Sequence, residues 1–515
     1  MDSFLADLRY AFRTLRATPG FTVVAIAVLA IGIGANTAIF TVVDAVLLNP
    51  LPYPDSERMM QLGRQYPQGR GSSNSIPKYM EWRKNHVFEA IALSDGSGPG
   101  FNLGAGDRPE QVKGSHASRE YFQVFGAAPR LGRTFTEAED LPNGPDVAVL
   151  SDALWKSRFA SDPAIIGRAI VLSGRTYNVV GVAPPGFKGE PAVDLWVPMK
   201  ADPASTNQGH YLQVTARLKP GVSIDQARAE MKVAGERFRA ANPKWMDKTE
   251  SVYVIPLREA LVGDVRLALL VLLSAVAVVL LIACANVANL LLVRAAGRQR
   301  ELAIRAAIGA GRWRVIRQLL TESVLLGGIG GVLGFVLGIW GVRVLLAFVP
   351  GDIPRITDPN GVHTGLPWLD WRVAAFAIGV SLLTGVIFGL FPSLHASNPN
   401  LATALNEASG RSGTGRKQNR ARAALVIAEV ALALVLLVSA TLLIRTFVGL
   451  RSVNPGIDAR NVLTFQTSLA GGRYSATAKV DDLTRRALRS IETVPGVESA
   501  AASAPAGPAS ESPPS

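Results

Sequence analysis

An arginine-rich segment between two apolar runs is the part of the sequence whose residue types could do chemistry. Residues 294–318, RAAGRQRELAIRAAIGAGRWRVIRQ, contain seven arginines and one acid, Glu301. A basic segment of this kind can bind an anionic membrane surface, and a helix with an apolar face can dock in the groove of a partner protein. Both interpretations suit a segment that directly follows the uncharged run 267–293.

Helical spacing orders the charged and the apolar residues of this segment. Arginines at steps of four, seven and seven share one face: Arg294, Arg298, Arg305 and Arg312. Apolar residues at similar steps share another: Ile304, Ile308, Val315 and Leu319. Gly309 and Gly311 are predicted to end the helix, because glycine inside a helix costs about 1 kcal/mol relative to alanine. The sequence therefore predicts a short amphipathic helix at the membrane surface, followed by a turn.

Catalytic signatures are absent from the sequence. It contains no GxxxxGK[ST] phosphate-binding loop, no HExxH and no GxSxG. The histidines also lack metal-ligand spacing: His86, His116, His210, His363 and His395. We therefore expect no enzyme, no cofactor and no metal site, and we expect that this chain hydrolyses no ATP by itself.

The elements on either side of the basic segment are predicted to cross a membrane. The chain has 515 residues, of which 48% are hydrophobic, and a helix needs about 20 apolar residues to span the hydrocarbon core. Segments that meet this length are 21–48, 267–293, 324–349, 373–391 and 423–447. The first has a long apolar part and no small-x-small cleavage site, so we expect a retained signal-anchor helix.

Lysine and arginine beside the spans predict the orientation of the chain. Basic residues cluster in the N-terminal segment 1–20, in the segment 294–320 and in the linker 396–422, which we expect to be cytoplasmic. The domain 49–264, the loop 350–371 and the segment 448–515 would then lie outside. The prediction is a multi-pass membrane protein with a cytoplasmic N-terminus. Its net charge of +13 is a topology signal, and no nucleic-acid partner is expected.

The outer segment 49–264 has the mixed helix and strand signals of an α+β domain. DVAVL is typical of a strand, SDALWKSRFA of a helix capped by Ser151, and AIVLSGRTYNVVGVAP of two strands joined at Ser173-Gly174. Ser223 and Gln226 have capping-box spacing at the start of a further helix that closes before Pro243, and HYLQVTARL before it indicates a strand. Trp155, Phe159 and Trp196 are expected in the core. The predicted fold class is an α-helical membrane protein with this domain between helices 1 and 2.

The beginning of the chain recurs in outline near its end. Span 423–447, like span 21–48, follows basic residues and precedes an Asn-Pro pair and a strand-like stretch, here NVLTFQTSL. This recurrence predicts a second copy of the architecture and the start of a second outer domain at 448–515. A Pro/Ala/Ser tail without a packable pattern follows, so we expect a truncated product or a fragment of a longer, duplicated protein.

The third span carries small residues at the spacing used for close helix contact. Glycines in overlapping GxxxG spacings are Gly327, Gly330, Gly331, Gly334 and Gly338. They would serve packing inside the bundle or a dimer interface, and the sequence leaves the two open. Glu429, near the inner end of span 423–447, is the candidate for an ionisable group inside a span. A row of such groups is missing, which disfavours ion-coupled secondary transport.

The stretch RELAIRAAIGAGRWRVIRQLLTES, residues 300–323, resembles the cytoplasmic coupling element of MacB/FtsX-like ABC transporter permeases. DLRYAFRTLRATPGFTVVAIAVLAIGIGANTAIFTVVDAVLLNPLPYPD and YNVVGVAPPGF are similar to the same family, and the match extends over about residues 5–500. The likeness is greatest to the duplicated, acidobacterial-type branch. The resemblance implies one span, a periplasmic core domain and three further spans, with that unit repeated.

The resemblance also implies partners and contact residues. A separate cytoplasmic ATPase would dock on Arg298, Glu301, Leu302, Ile304, Arg305, Gly309 and Ala310, with Arg312, Arg317 and Gln318 in the turn after them. The permease would work as a homodimer or a pseudo-dimer in contact with membrane lipid, and would transmit motion to a periplasmic adaptor or an outer-membrane channel for export. The alternative is a membrane-anchored sensor or scaffold whose outer domain binds a ligand or partner.

Overall fold

The computed structural model describes residues 2–96, 100–104, 110–297, 312–348, 370–396, 415–452, 462–464 and 477–502. They divide into two compact units, Met1–Asn49 with Asp264–Val462, and Pro50–Gly263 with Leu463–Ser515. In chain order the helices are α1 (Asp2–Ala17), α2 (Pro19–Val43), α3 (Ile76–Trp82), α4 (Tyr121–Phe125), α5 (Asp152–Arg158), α6 (Ile224–Ala241), α7 (Leu257–Gly297), α8 (Arg312–Phe348), α9 (Trp371–Ala396), α10 (Gly415–Ser452) and α11 (Thr477–Glu492).

Within the described residues, five helices are long and apolar enough to cross a membrane. Their candidate spans are Pro19–Leu48, Val265–Arg294, Ile316–Val344, Trp371–Leu390 and Ala423–Gly449. The predicted number of spans and the fold class are thereby confirmed. The largest difference in a start is at the third span, which was predicted from residue 324 but begins at Ile316, in a helix that begins at Arg312. Residues 312–323 contain no glycine or proline, so the helix continues through its polar end.

Close approach of α2 and α8 organises the first unit. A methyl group placed on Gly334 would lie 3.0 Å from the Ala30 carbonyl oxygen, and one on Gly34 would lie 2.9 Å from the Gly334 carbonyl oxygen. The two backbones therefore touch, and a side chain at either position would push them apart. Gly330 and Gly338 also face α2, where added methyl groups would lie 2.8 Å from Leu29 and 3.0 Å from Thr37.

The remaining glycines of the series face α9. A methyl group on Gly327 would lie 2.8 Å from the Ser381 carbonyl oxygen, and Gly331 packs against the same serine. Of the two roles that the sequence left open for these glycines, the contacts favour packing inside the bundle. Phe40 of α2 and Phe376 of α9 stack with ring centroids 3.9 Å apart, so α2, α8 and α9 contact one another pairwise.

Polar side chains also join the spans. Asn36 of α2 is 3% exposed and donates from Nδ2 to the Val276 carbonyl oxygen of α7 over 2.8 Å. A π-helical turn, Asp44–Leu48, ends α2, and its buried Asp44 lies 3.8 Å from Nη1 of Arg372 at the start of α9. Sequence analysis singled out Glu429 alone as an ionisable group inside a span. That statement is wrong, because Asp44 and Glu322 are also ionisable residues inside candidate spans, where they are 2% and 3% exposed.

The second unit is built on one mixed sheet. Its strands are β1 (Met59–Tyr66), β2 (Gly69–Gly71), β3 (Ser73–Asn74), β4 (Phe88–Ser94), β5 (Phe101–Leu103), β6 (Glu110–Val112), β7 (Gly114–Ala117), β8 (Leu131–Gly132), β9 (Val147–Leu150), β10 (Ala169–Leu172), β11 (Arg175–Val182), β12 (Leu195–Pro198), β13 (Leu212–Leu218) and β14 (Ser251–Pro256). Their order is β14-β1-β13-β4-β7-β12-β9-β11-β10-β5-β6, with β2, β3 and β8 beside β1, β13 and β11. The β9–β11 and β7–β12 pairs are parallel.

Local signals in this unit behave as the sequence predicts. Ser151 accepts a hydrogen bond from the Leu154 amide at the start of α5, and Ser223 and Gln226 form a capping box that begins α6. Ser173 and Gly174 take left-handed backbone angles, φ 49° and 80°, which a two-residue hairpin turn requires. Trp155 and Trp196 are 5% and 0% exposed and belong to two different hydrophobic clusters of the domain. Phe159 packs against the cluster that contains Trp155.

The predicted second outer domain stays a prediction. Within the described residues, α10 ends at Ser452 and α11 spans Thr477–Glu492. Most of the strand-like stretch NVLTFQTSL, and the tail after residue 502, lie outside the described part of the chain.

The α2–α8 contact predicts a specific disulfide. A Cβ built on Gly341 lies 3.7 Å from the Ala38 Cβ, within the roughly 3.5–4.5 Å that a disulfide needs. We expect the double variant Ala38→Cys/Gly341→Cys to lose two free thiols when membranes are oxidised, as counted by alkylation and mass spectrometry. Cys284, the single native cysteine, is buried and gives the background.

The matched control is Ala38→Cys/Gly328→Cys, because a Cβ on Gly328 has no neighbour within 4 Å. Its thiols should stay reduced under the same oxidation. Equal reactivity of the two pairs would contradict the packing of α2 against α8.

Candidate coupling site

The residues predicted to contact an ATPase are only partly within the described structure. Arg298, Glu301, Leu302, Ile304, Arg305, Gly309 and Ala310 lie outside the described residues. Arg312, Arg317 and Gln318, which sequence analysis placed in a turn, belong to the first turns of α8. The predicted turn is wrong at these positions because the residues that follow Gly311 are uninterrupted helix formers. The segment 298–311 thus connects the end of α7 directly to the start of α8.

Arg294 fixes the end of α7 to the N-terminal helices. Its Nη2 donates to the Thr14 carbonyl oxygen of α1 over 3.0 Å, and its guanidinium lies 4.9 Å from the ring centroid of Phe21 on α2. Thr14 is 7% exposed, so the hydrogen bond forms in a partly dry environment. A charge-assisted hydrogen bond and a cation–π contact therefore join three helices at one point.

The helix α1 is the part of this site that sequence analysis missed. It has a buried face with Ala11, Thr14 and Leu15, and an exposed face with its arginines: Arg9, Arg13 and Arg16. Thr22 of α2 donates to the Leu15 carbonyl oxygen over 2.8 Å, which ties α1 to the start of α2 across the Thr18-Pro19 junction. Apolar residues at helical spacing in DLRYAFRTLRA were the signal that could have predicted it.

The helix α1 contacts both helices that flank the segment 298–311 in the sequence. α7 ends at Arg294–Gly297, next to α1, and α1 also packs on α8, which begins at Arg312. A force applied to the segment would act on α2, α7 and α8 together, since each contacts α1 or its continuation. The described contacts thus connect α1, α2, α7 and α8 on the two sides of the segment.

The second unit contains a buried polar cluster around Lys78 of α3. Lys78 and Glu250, 1% and 5% exposed at the side chain, form an ion pair, and His210 Nε2 lies 3.4 Å from Lys78 Nζ. Burial lowers the pKa of Lys78, and the Glu250 carboxylate opposes that shift. Burial and the charges of Arg64 and Lys78 lower the pKa of His210 to about 4. The imidazole is therefore neutral at pH 7, and the cluster fixes α3 to the start of β14.

The described part of the chain contains no candidate metal site. No group of three or more histidine, cysteine, aspartate or glutamate side chains there could hold an ion. His116 is instead paired with Asp95, whose Oδ2 lies 2.7 Å from the His116 Nδ1.

Two family models match the chain. The model described as MacB-like periplasmic core domain matches residues 22–234, and the model described as FtsX-like permease C-terminal matches residues 273–401. The first model covers α2 and most of the second unit. The second model covers α8, α9 and the segment before them.

Relatives with curated names cover much of the sequence at low identity. The macrolide export ATP-binding/permease protein MacB of Salmonella typhi is 24% identical over 429 residues, which are 78% of this chain and 61% of that protein. The uncharacterized ABC transporter permease YknZ of Bacillus subtilis is 26% identical over 284 residues, 54% of this chain and 65% of that protein. The chain thus spans about three fifths of the length of the first of these relatives.

One solved structure is similar to part of the chain. The periplasmic region of MacB from Actinobacillus actinomycetemcomitans is 17% identical, with 41% of this chain and 94% of that chain covered and a TM-score of 0.31.

The Arg294 contact predicts a measurable loss of stability. Arg294→Gln removes the guanidinium group that donates a hydrogen bond to the Thr14 carbonyl and lies over the Phe21 ring. A hydrogen bond to a charged group contributes about 1.5–3 kcal/mol to the free energy of unfolding. We expect a lower thermal unfolding midpoint for the detergent-solubilised chain. The matched control is Arg314→Gln, whose side chain is exposed, and it should unfold with the unaltered chain. Equal midpoints for the two variants would contradict the role of Arg294.

Proposed function

Because the chain carries a MacB-like periplasmic core domain and an FtsX-like permease domain, we propose that it is the membrane subunit of an ABC-type transporter or mechanotransmission complex. It couples a separate cytoplasmic ATPase to its outer domain, for export or efflux. The observation that carries the proposal is the order of the two matched domains, together with a basic segment inside the second match whose flanking helices, α7 and α8, contact α1.

The ATPase belongs to another chain in this proposal. Residues 1–515 contain no GxxxxGK[ST] loop, whereas the matched Salmonella relative is named an ATP-binding/permease protein. The permease-type YknZ relative supports a division of labour between subunits. The ATPase docks on the segment 298–311 from the cytoplasm, where the positive-inside distribution of arginine places it.

Stiff attachment supports a mechanical mechanism. To shift a two-state element from 1:99 to 99:1, ATPase binding must favour one state by about 5.5 kcal/mol. A stiff attachment is therefore part of the proposal. It is supported by the helices on both sides of the segment 298–311, since α7 bonds α1 through Arg294 and Thr14 and α8 packs on α1. Movement of the ATPase is therefore passed to α7 and α8, and α7 continues to the end of β14 in the outer domain.

The working assembly follows from the same proposal. The protein lies in the inner membrane with its N-terminus in the cytoplasm, and it acts as a homodimer or as a pseudo-dimer with a second repeat. Its outer domain, 49–264, acts on a periplasmic adaptor or an outer-membrane channel. The duplicated architecture and the incomplete second repeat that the sequence predicts are part of the proposal, supported by the recurrence of span 423–447 and its flanks.

The proposal predicts loss of ATPase capture when the segment is altered. The chain is tagged, purified from its native membranes, and the co-purified proteins are identified by mass spectrometry. We expect a phosphate-loop ATPase, and we expect Glu301→Trp and Ile304→Trp to reduce its recovery about tenfold, equivalent to about 1.4 kcal/mol of binding. A bulky residue should prevent the close fit that the alanine- and isoleucine-rich helix predicted from the sequence would permit.

Val233→Trp is the matched control, because Val233 is 49% exposed on α6 of the outer domain. It should recover the ATPase fully and insert in the membrane like the other variants. If both segment variants recover as much ATPase as the unaltered chain, the segment 298–311 is not the docking site. Capture of no ATPase by the unaltered chain would favour a sensor or scaffold.

A further inference from the structure

An apolar groove runs along α8 beside α1. Its volume is about 700 Å³, and it is lined by Leu8 of α1 and by residues of α8: Arg317, Leu320, Thr321, Val324, Leu325, Gly328, Ile329, Val332 and Leu333. Thr321 donates its hydroxyl to the Arg317 carbonyl oxygen over 2.8 Å, so its polar group is already bonded within the helix. Among the described residues that line the groove, Arg317 alone carries a charge.

The groove is an open face of a helix that is otherwise tightly packed. Gly330 and Gly334 contact α2, and Gly327 contacts α9, but a Cβ built on Gly328 has no neighbour within 4 Å. Val332 and Leu333 are 68% and 47% exposed. Something apolar must cover this face in a membrane protein, and the groove has room for it beside a glycine.

The length of the groove suits one acyl chain. From Leu320 to Leu333 the helix rises about 20 Å at roughly 1.5 Å per residue. One leaflet of the hydrocarbon core is about 15 Å thick, half of the roughly 30 Å of the whole core. An acyl chain that enters at the Arg317 end can therefore stay in contact with the groove for its full depth in one leaflet.

The charge at one end of the groove selects the headgroup. Arg317 lines that end, Arg314 is exposed one turn earlier, and Trp313 is 73% exposed beside it. The neighbouring helix α1, which packs on α8, also carries exposed arginines, Arg9 and Arg13. Arginine binds phosphate with charge-assisted, often bidentate hydrogen bonds, and exposed tryptophan is typical of the membrane–water interface.

We propose that this groove binds one anionic glycerophospholipid, with an acyl chain between Leu320 and Leu333 and the headgroup phosphate at Arg317. A second copy of the chain fits the same face less well. In a dimer with its two-fold axis along the membrane normal, equivalent arginines lie at the same depth, so the basic ends would approach each other. The site requires only that α8 spans the membrane and holds whether or not an ATPase docks on the segment 298–311.

The test is native mass spectrometry of the full chain in detergent. Phosphatidylglycerol and phosphatidylcholine with identical acyl chains are titrated separately, and the retained lipid is counted. We expect retention of one phosphatidylglycerol at about tenfold lower concentration than phosphatidylcholine. Arg317→Gln should lower phosphatidylglycerol retention to the phosphatidylcholine level. Gly328→Phe should fill the groove and weaken retention of both lipids at this site about tenfold.

Matched controls separate the site from general effects on the bundle. Gly379→Phe adds the same bulk at an exposed glycine of α9 that also has open space around it, and Arg445→Gln removes an exposed arginine from α10. Both should retain phosphatidylglycerol like the unaltered chain. If Gly328→Phe does not fold, the smaller Gly328→Leu replaces it, and Arg317→Gln tests the headgroup independently.

Each remaining outcome overturns the proposal. Equal retention of the two lipids would remove the headgroup selectivity, and retention unaffected by Gly328→Phe would place the lipid elsewhere. Inorganic phosphate that displaces phosphatidylglycerol at equimolar concentration would indicate a free-anion site without the acyl groove. A dimer that Gly328→Phe converts to monomer, with lipid retention unchanged, would identify the groove as an interface between copies.

Discussion

Backbone contact between α2 and α8 is the constraint on which the membrane unit depends. Lipid tails are as apolar as leucine, so burying apolar side chains gives no hydrophobic gain between helices inside a membrane. Close approach supplies dispersion contacts in its place, and only small residues allow it. Gly34 and Gly334 face each other at distances that a single methyl group would violate. The Asn36 hydrogen bond to α7 and the Gly327 contact with α9 then fix the neighbouring spans around this pair.

The same contact between α2 and α8 connects the helices on either side of the basic segment. Arg294 joins the end of α7 to Thr14 and Phe21, so α1 and α2 are connected to the helix that leads into the segment 298–311. α8, which leaves the segment, is packed on α2 by its glycines. Both helices that enter and leave the proposed docking site therefore meet at α2. An ATPase that moves this segment would move a connected body of helices, and no single span could respond alone.

Local and compositional signals predicted much of this structure. Apolar length predicted the five candidate spans. The capping box and the Ser173-Gly174 turn appear where their residues indicate, and Trp155 and Trp196, the two tryptophans predicted in the core, are buried. These features depend on neighbours in sequence or on simple burial. The start of α8 at Arg312 was missed because basic residues were assigned to a turn, although nothing in residues 312–323 stops a helix.

Partners in space were harder to predict. GxxxG spacing indicates close packing but is the same whether the neighbouring helix belongs to this chain or another, so the roles of Gly334 and Gly338 needed the structure. Asp44 was overlooked because it is a single acid near the end of a long apolar run, and its partner Arg372 is distant in sequence. The groove beside Gly328 is likewise set by the position of α1, which the sequence did not predict as a helix.

The central claim is that α2 and α8 act as one rigid element between the docking segment and the rest of the bundle. The most direct measurement is ATP hydrolysis by the purified complex containing Ala38→Cys/Gly341→Cys, compared between the oxidised and the reduced state. A rigid α2–α8 pair predicts the same hydrolysis rate in both states, because the disulfide links atoms that do not move relative to each other. Hydrolysis that stops on oxidation and returns on reduction would show that the two helices slide, and would contradict the account.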